Sequence, residues 1–378
     1  MSYLTWAEID LAAIQNNVRR MKALTGTRVM AMVKANAYGH GLAPVAQAAA
    51  SAGADWLGVA RVDEGAALRA AGLALPILVT GYTPPALAAE AIGHELTLTV
   101  FDVETARAYA AQARALNRPA RVHFKVDTGL GRLGVLPEDA PALYRAISSL
   151  DGLEADGVFT HFARADEIPD IPPLPSLPDD PPLPPDAASQ LARFAAVLEA
   201  LDRRPGLVHA ANSAAAIALP GARFDVVRMG IALYGLNPSA TVPCPPGFQP
   251  ALTWKALVMQ VKALPAGHGV GYGHHYVTGR PETVAVVSVG YADGYRRVLD
   301  VNEVLIRGRR APVRGRVSMD QIVVGVSHIP DVQSGDEAVL IGQQGEARLT
   351  ADDLARKWGT INYDVTTGIM ARVARVYR

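Results

Sequence analysis

Lys34 follows the β-branched run 29–33 in the string Val33-Lys-Ala-Asn-Ala-Tyr-Gly-His-Gly41, flanked by small residues where a solvated loop would carry more polar ones. A lysine withdrawn from water holds its proton less tightly, and a neutral amine of that kind is what forms a Schiff base. Other polar residues fall at the ends of further strand-like runs: Lys125 and Arg132 around 122–126, His161 after 158–160, Asn212 and Ser213 after 207–210, and Arg228 at the end of 225–227. One such residue alone reads as a structural polar group. Several at equivalent strand ends read as a site, because barrel folds present their chemistry at the C-terminal ends of their strands.

Four further motifs invite functional readings that their context weakens. Gly129-Leu-Gly-Arg-Leu-Gly134 has the spacing of a dinucleotide-binding turn, but Pro137 closes it and no helix opens directly from it. That fingerprint needs strand, glycine turn and helix together, so the segment reads instead as a loop presenting Arg132. His274 and His275 are adjacent, and along a strand they would face opposite sides, so no metal site is expected. Gly290-Tyr-Ala-Asp-Gly294 and Arg316-Val-Ser-Met-Asp320 read, on residue physics alone, as turn and core segments of a β domain.

The elements that must position these residues alternate. Short β-branched runs at 29–33, 56–60, 77–80, 97–100, 122–126, 158–160, 207–210 and 225–227 are interleaved with Ala-rich segments such as 44–52, 62–71, 102–116, 138–149 and 187–202, whose apolar residues recur every three or four positions. Eight strand-helix units predict an α/β fold, a (β/α)8 TIM-type barrel over residues 1–237. Prolines at 238, 243, 245, 246 and 250 break the pattern, and beyond them strand-like runs dominate, with one short helix near 350–358. Residues 238–378 are therefore expected to form a C-terminal mainly-β domain, and Thr5–Ile9, which has no helix partner, is free to pair with it. Between 168 and 185, nine of eighteen residues are proline, which predicts a stiff loop on the catalytic face.

Composition removes several function classes. With 36 Lys+Arg against 36 Asp+Glu over 378 residues, no basic field exists to attract nucleic acid. A single cysteine, Cys244, excludes an intrachain disulfide and fits a reducing cytoplasm. No uncharged stretch is free enough of proline, glycine and polar residues to span a membrane, and Glu8 and Asp10 sit where a signal peptide would be apolar.

Taken in order, Thr5-Trp-Ala-Glu-Ile-Asp10, VKANAYGHG at 33–41, HFKVDTGLGRLG at 123–134, THF at 160–162, ANS at 211–213, RMGIALYG at 228–235, GYADGY at 290–295, GRVSMDQ at 315–321 and Ile361-Asn-Tyr-Asp-Val365 resemble the alanine racemase family along nearly the whole chain. The resemblance implies a pyridoxal 5'-phosphate enzyme, with Lys34 carrying the cofactor as a Schiff base. Tyr38, Ser213, Tyr363 and the backbone of Gly230 and Ile231 would hold the phosphate, with His161 and Asn212 nearby and Arg228 facing the pyridine nitrogen. It further implies a two-base mechanism in which Lys34 and Tyr291 are catalytic, Tyr291 and Met319 coming from the partner subunit of a homodimer with shared active sites. Arg132 would bind the substrate carboxylate and Lys125 would be carbamylated.

The expected activity is interconversion of L- and D-alanine in the cytoplasm, supplying peptidoglycan synthesis. The alternatives are a broad-specificity racemase and a non-catalytic pyridoxal-phosphate-binding protein. A decarboxylase of basic amino acids would favour an acidic partner for the ring nitrogen. Two departures from the family pattern are Ser318, where cysteine is frequent, and the proline loop 168–185, a passive extension or a flap narrowing access to the site.

Overall fold

The computed structural model describes residues 3–167 and 186–378, so the proline loop and the flap expected of it lie outside the described residues. The chain divides into two compact units, one comprising residues 13–37 and 42–249, the other 1–12, 38–41 and 250–378.

The first unit is the expected barrel. Its strands are β2 (Arg28–Met32), β3 (Trp56–Val59), β4 (Ile77–Val79), β5 (Thr97–Val100), β6 (Ala120–Lys125), β7 (Leu153–Phe159), β8 (Leu207–His209) and β9 (Val226–Met229), after a leading strand β1 (Thr5–Ile9) that belongs to the other unit. All eight run parallel in sequence order, and β2 pairs with both β3 and β9. The remaining seam between β8 and β9 is bridged by backbone bonds from Asp225 N–H to Val208 and from Arg228 N–H to Ala211. Each strand is short and buried almost throughout, which explains their apolar runs.

Helices begin where a side chain can accept the free N–H groups of the first turn. Asp102 accepts from Thr105 N, Asp186 from Ser189 N and Asn212 from Ala215 N. A helix the strand-helix pattern did not reveal, Leu11–Thr25, buries Asn17 among Ile14, Val18 and Met21. Asn17 Nδ2 donates to the carbonyls of Leu233 and Gln249, and its Oδ1 accepts from Gln249 N. Those bonds are one reason that residues 238–249, read from their prolines as the start of the second domain, group with the barrel.

In the second unit β1 lies between β10 (Leu252–Leu264), antiparallel, and the strand Ala374–Tyr377, parallel. Strands Glu282–Val287 and Glu337–Gln344 flank β10, and Trp254, Tyr295 and Trp358 meet edge-on in the core, with ring centroids 6.0 and 5.6 Å apart. The helix Ala351–Trp358 is bounded by a reciprocal Thr350/Asp353 cap and by Gly359 in the left-handed region. His274 and His275 do not lie along a strand as expected. They close a tight turn between Gly271 and Tyr276, with Gly271 and Gly273 both at positive φ.

Candidate active site

Lys34 leaves the end of β2 into a left-handed turn: Ala35, Asn36, Ala37 and Tyr38 all have φ of 52–53°. Non-glycine residues in this region cost about 1–2 kcal/mol each, so the surroundings must hold the turn. Ala37 N–H donates to Val33 O, Glu64 Oε1 accepts from Ala35 N–H at 2.6 Å, and Asn36 Oδ1 accepts from Leu42 N–H at 2.9 Å. Such strain gathers at sites where geometry matters to function.

Around the same end of the barrel the structure brings together Lys125, the last residue of β6, His161 two residues past β7, and Arg228 inside β9. Arg228 is buried, and all its hydrogen-bond acceptors are neutral. Its NH2 group reaches the carbonyls of Thr160 (2.8 Å) and Ala210 (2.7 Å) and Nδ1 of His161 (3.0 Å), while NH1 reaches Nδ1 of His209 (2.8 Å). A guanidinium can only donate, so both histidines accept through Nδ1, leaving Nε2 of His161 to carry its proton.

The electrostatics are one-sided. Among the described residues no ion pair involves Lys34, Lys125, Arg132 or Arg228. Burial, then Arg132 and Arg228, lowers the Lys34 pKa. Burial followed by Arg228 and Arg132 pushes Lys125 down to about 7, and burial with Arg132 brings Arg228 down to about 9. The His161 imidazole is driven well below its usual range, first by burial and then by Arg228 and Lys125, so it is neutral at pH 7. This is a site built to receive anions and to loosen the protons on its amines.

An anion cradle is also present. The N–H groups of Gly230 (2.9 Å) and Ala232 (3.3 Å) converge on Ser213 Oγ, setting the serine hydroxyl against the turn Ile231–Tyr234. Side chains and turn amides so gathered suit a phosphate, and a phosphate-bearing aldehyde fits the donor set: amide and hydroxyl donors for the ester, and Lys34 as the amine. In the other unit the rings of Tyr38 and Tyr363 lie 6.0 Å apart, and Tyr291 and Met319 occur in joined turns, since Tyr291 N–H donates to Ser318 O and Ala292 N–H to Met319 O.

Sequence reasoning missed three supports. Asp127 collects four backbone N–H groups, those of Gly129, Leu130 and Gly131 on Oδ1 and of Arg132 on Oδ2, at 2.8–3.1 Å. Burial alone would raise its pKa, but the N–H donors of Gly129, Gly131, Arg132 and Leu130 outweigh that and lower it. The glycines that imitate a dinucleotide motif thus wrap a carboxylate, and a side chain on Gly134 would fall 2.6 Å from Asp127 N. Asp127→Asn keeps a carbonyl oxygen for Gly129, Leu130 and Gly131 but loses the carboxylate charge and turns an NH2 against the N–H of Arg132. If Arg132 binds the substrate as the resemblance implies, the KM is expected to rise about tenfold with little change in kcat; steady-state kinetics check it, and an unchanged KM would mean the loop holds without the carboxylate. Gln190 is the second support: it accepts from Ala163 N–H and donates to His161 O and Thr128 Oγ1. The third is the pair His123 and His209. An Asp-Thr-Gly signal after a strand could have revealed Asp127; nothing local marks the others.

Fold and site together define a two-unit barrel enzyme that holds a lysine of lowered pKa beside uncompensated cations and an anion cradle. Its two parts match the profiles of the alanine racemase N-terminal domain over residues 9–238 and the alanine racemase C-terminal domain over 251–377. The chain is 48% identical to an alanine racemase of Symbiobacterium thermophilum, covering 99% of this chain and 97% of that one. It also superposes with a TM-score of 0.91 on a crystal structure of alanine racemase from E. faecalis, 37% identical, covering 99% and 98% of the two chains. A histidine racemase from Leuconostoc mesenteroides has the same fold, with a TM-score of 0.88 at 30% identity, covering 100% and 98%. The chain belongs to the alanine racemase family. Its activity is the isomerisation of L-alanine to D-alanine and back.

Proposed function

We propose that this isomerisation runs on pyridoxal 5'-phosphate held by Lys34, with Ser213, Gly230, Ile231, Tyr38 and Tyr363 around the phosphate, His161 and Asn212 beside the cofactor, and Arg228 facing the ring nitrogen. The observation that carries the reading is the set of four cations without ion-pair partners, two of them lysines with lowered pKa, next to the Ser213 cradle. Bound, the cofactor supplies an electron sink that acidifies the substrate α-proton. Arg132 holds the substrate carboxylate. Arg228, whose acceptors are all neutral, keeps its full charge toward the ring nitrogen and leaves that nitrogen unprotonated, which weakens the sink and limits side reactions. Lys34, whose proton is loosened by burial and by Arg132 and Arg228, takes or returns the proton on one face.

The opposite face needs a second acid-base group, and a tyrosine from a second copy of the chain supplies it. The family resemblance implied Tyr291, with Met319 beside it. Tyr291 is 40% exposed, whereas Tyr272, held between Gly271 and Gly273, is 68% exposed, the most exposed large apolar side chain among the described residues. A phenol that must reach into a neighbouring subunit needs to protrude, so exposure favours Tyr272. Phenylalanine at each position separates the two: the base is the residue whose loss slows L-to-D turnover by at least about a hundredfold while the cofactor stays bound. Exposed Tyr272, Tyr291, Met319, Ile361 and Met370 all lie on the second unit and support a homodimer with shared sites. Mixing Lys34→Ala with the inactive tyrosine variant should then restore turnover that neither parent has; no recovery on proven subunit exchange would reject sharing.

Lys125, with its pKa brought down to about 7, has a substantial neutral fraction whose amine can attack carbon dioxide, which supports carbamylation and an anionic partner for Arg132. A native mass gain of one carbon dioxide, lost on Lys125→Ala, checks it. Supply of D-alanine to peptidoglycan in the cytoplasm is the use proposed for the product. Among the described residues no helix is long and apolar enough to cross a membrane. Racemisation assays across alanine, serine, histidine, lysine and arginine test the preference for alanine.

A further inference from the structure

The guanidinium of Arg228 begins a chain of hydrogen bonds that leads away from the substrate side. NH1 donates to Nδ1 of His209 at 2.8 Å, and Nε2 of His209 lies 2.9 Å from Nδ1 of His123. The direction of this chain is determined by donor count. Arg228 cannot accept, so Nδ1 of His209 has no proton and the neutral ring carries it on Nε2. That N–H must donate to His123, which leaves His123 with its own proton on Nε2, where no partner exists. Both rings are fully buried. His209 stacks on Phe159 with centroids 4.6 Å apart and an interplanar angle of 8°, and the ring of Trp56 lies 5.3 Å from His123.

The fold makes room for this arrangement. The β6–β7 ladder shifts by one residue at His123, which pairs with Gly157 while Val122 pairs with Ala155, so Asp156 is extra. A Cβ at position 157 would stand 2.5 Å from the His123 ring. A bulge, a glycine and an unpartnered buried N–H are all spent on an imidazole that touches neither the cradle nor Lys34, where an apolar ring would have packed without them.

We propose that His123 is a positioning residue: by accepting from His209 it locks the tautomer of that ring, and through it fixes the orientation and undiluted charge of Arg228. The alternative tautomer of His209 would turn an N–H against the guanidinium and push it out of its set of neutral acceptors. The catalytic consequence rests on Arg228 facing the cofactor ring; the tautomer lock itself does not, and the two are measured separately.

Nitrogen-15 NMR of histidine-labelled protein stripped of cofactor is expected to show His209 and His123 neutral and protonated on Nε2 from pH 6 to 8. A proton on Nδ1 of His209, or a charged ring at either position, would overturn the proposal. In the holoenzyme, His123→Phe should lower kcat about tenfold with KM for alanine changed less than twofold, and should displace the pH profile of the cofactor's visible absorbance. His123→Asn, which keeps an acceptor near the Nδ1 position, should recover most of both. An unchanged kcat and absorbance profile in the Phe variant, or an Asn variant no better than Phe, would overturn it. A correct tautomer with kcat and absorbance unmoved would place the failure in the assignment of Arg228.

Discussion

Lys34→Ala is expected to abolish racemisation, with kcat at least about a thousandfold lower and the visible absorbance of the lysine-bound cofactor gone. On the proposed assignment two functions disappear with one side chain: the amine that would carry the cofactor and the base on one face of the substrate. Lys125 cannot stand in although its pKa is also low, because it ends a different strand, buried with its ammonium 5.1 Å from the centroid of the Phe159 ring. The anion cradle and Arg228 are untouched by the change, so the variant should still bind the free cofactor. An added small amine such as methylamine should restore part of the turnover, since the site supplies the missing amine's geometry from the left-handed turn after β2. Normal turnover without added amine would end the assignment of Lys34.

The barrel was legible because its strands are buried on both faces and so appear as unbroken apolar runs. The strand ends that carry chemistry were legible for the same reason: a lysine, a histidine or an arginine stands out where such a run stops. Lys34, Lys125, His161 and Arg228 were singled out in this way, and the structure sets each of them at or close to the end of a barrel strand. The helix Leu11–Thr25 was missed because its buried Asn17 interrupts the apolar stripe, and that asparagine is explained only by two carbonyls more than two hundred residues away. The grouping of 238–249 with the barrel was hidden by prolines, which announce the end of regular structure but not the side to which a segment packs.

The supporting residues of the site were the least legible. His123 looks like one more polar residue inside a strand, and His209 like another; their role exists only because β6, β8 and β9 bring them into line with Arg228. Likewise nothing in the residues Ala35 to Tyr38 announces a left-handed turn, since none is glycine. It exists because Glu64, Asn36 and Val33 supply its partners. Chemistry at strand ends is a local property of the chain, whereas the charge state of that chemistry is a property of the assembled barrel.

That assembled charge state makes acid the main threat to the fold. Three histidines are held neutral, His123 and His209 fully buried and His161 half-buried, with His123 lowered to about 3 and the other two well below their usual range, each chiefly by withdrawal from water and next by Arg228. Unfolded, each would titrate near 6.5. Below that value the unfolded chain binds protons that the native barrel does not, so stability rises with pH across the window and is lost as pH falls from about 6.5 toward the folded values. Each histidine then costs on the order of 2 kcal/mol by pH 5, about 6 kcal/mol for the three, which is comparable to the whole stability of many domains. Two other shifted groups of the site act outside this window. Lys125 differs from its unfolded state only above about pH 7, and Asp127, whose pKa is lowered, contributes stability that is complete above 3.8 and fades only as pH falls through its folded value. The urea midpoint should therefore drop steeply between pH 6.5 and 5, with a slope approaching three protons per chain. His123→Phe should reduce that slope by one proton whatever it does to stability at pH 7.5. A flat profile to pH 5 would mean that these imidazoles take up protons inside the barrel, and the neutral acceptors assigned to Arg228 would have to be abandoned.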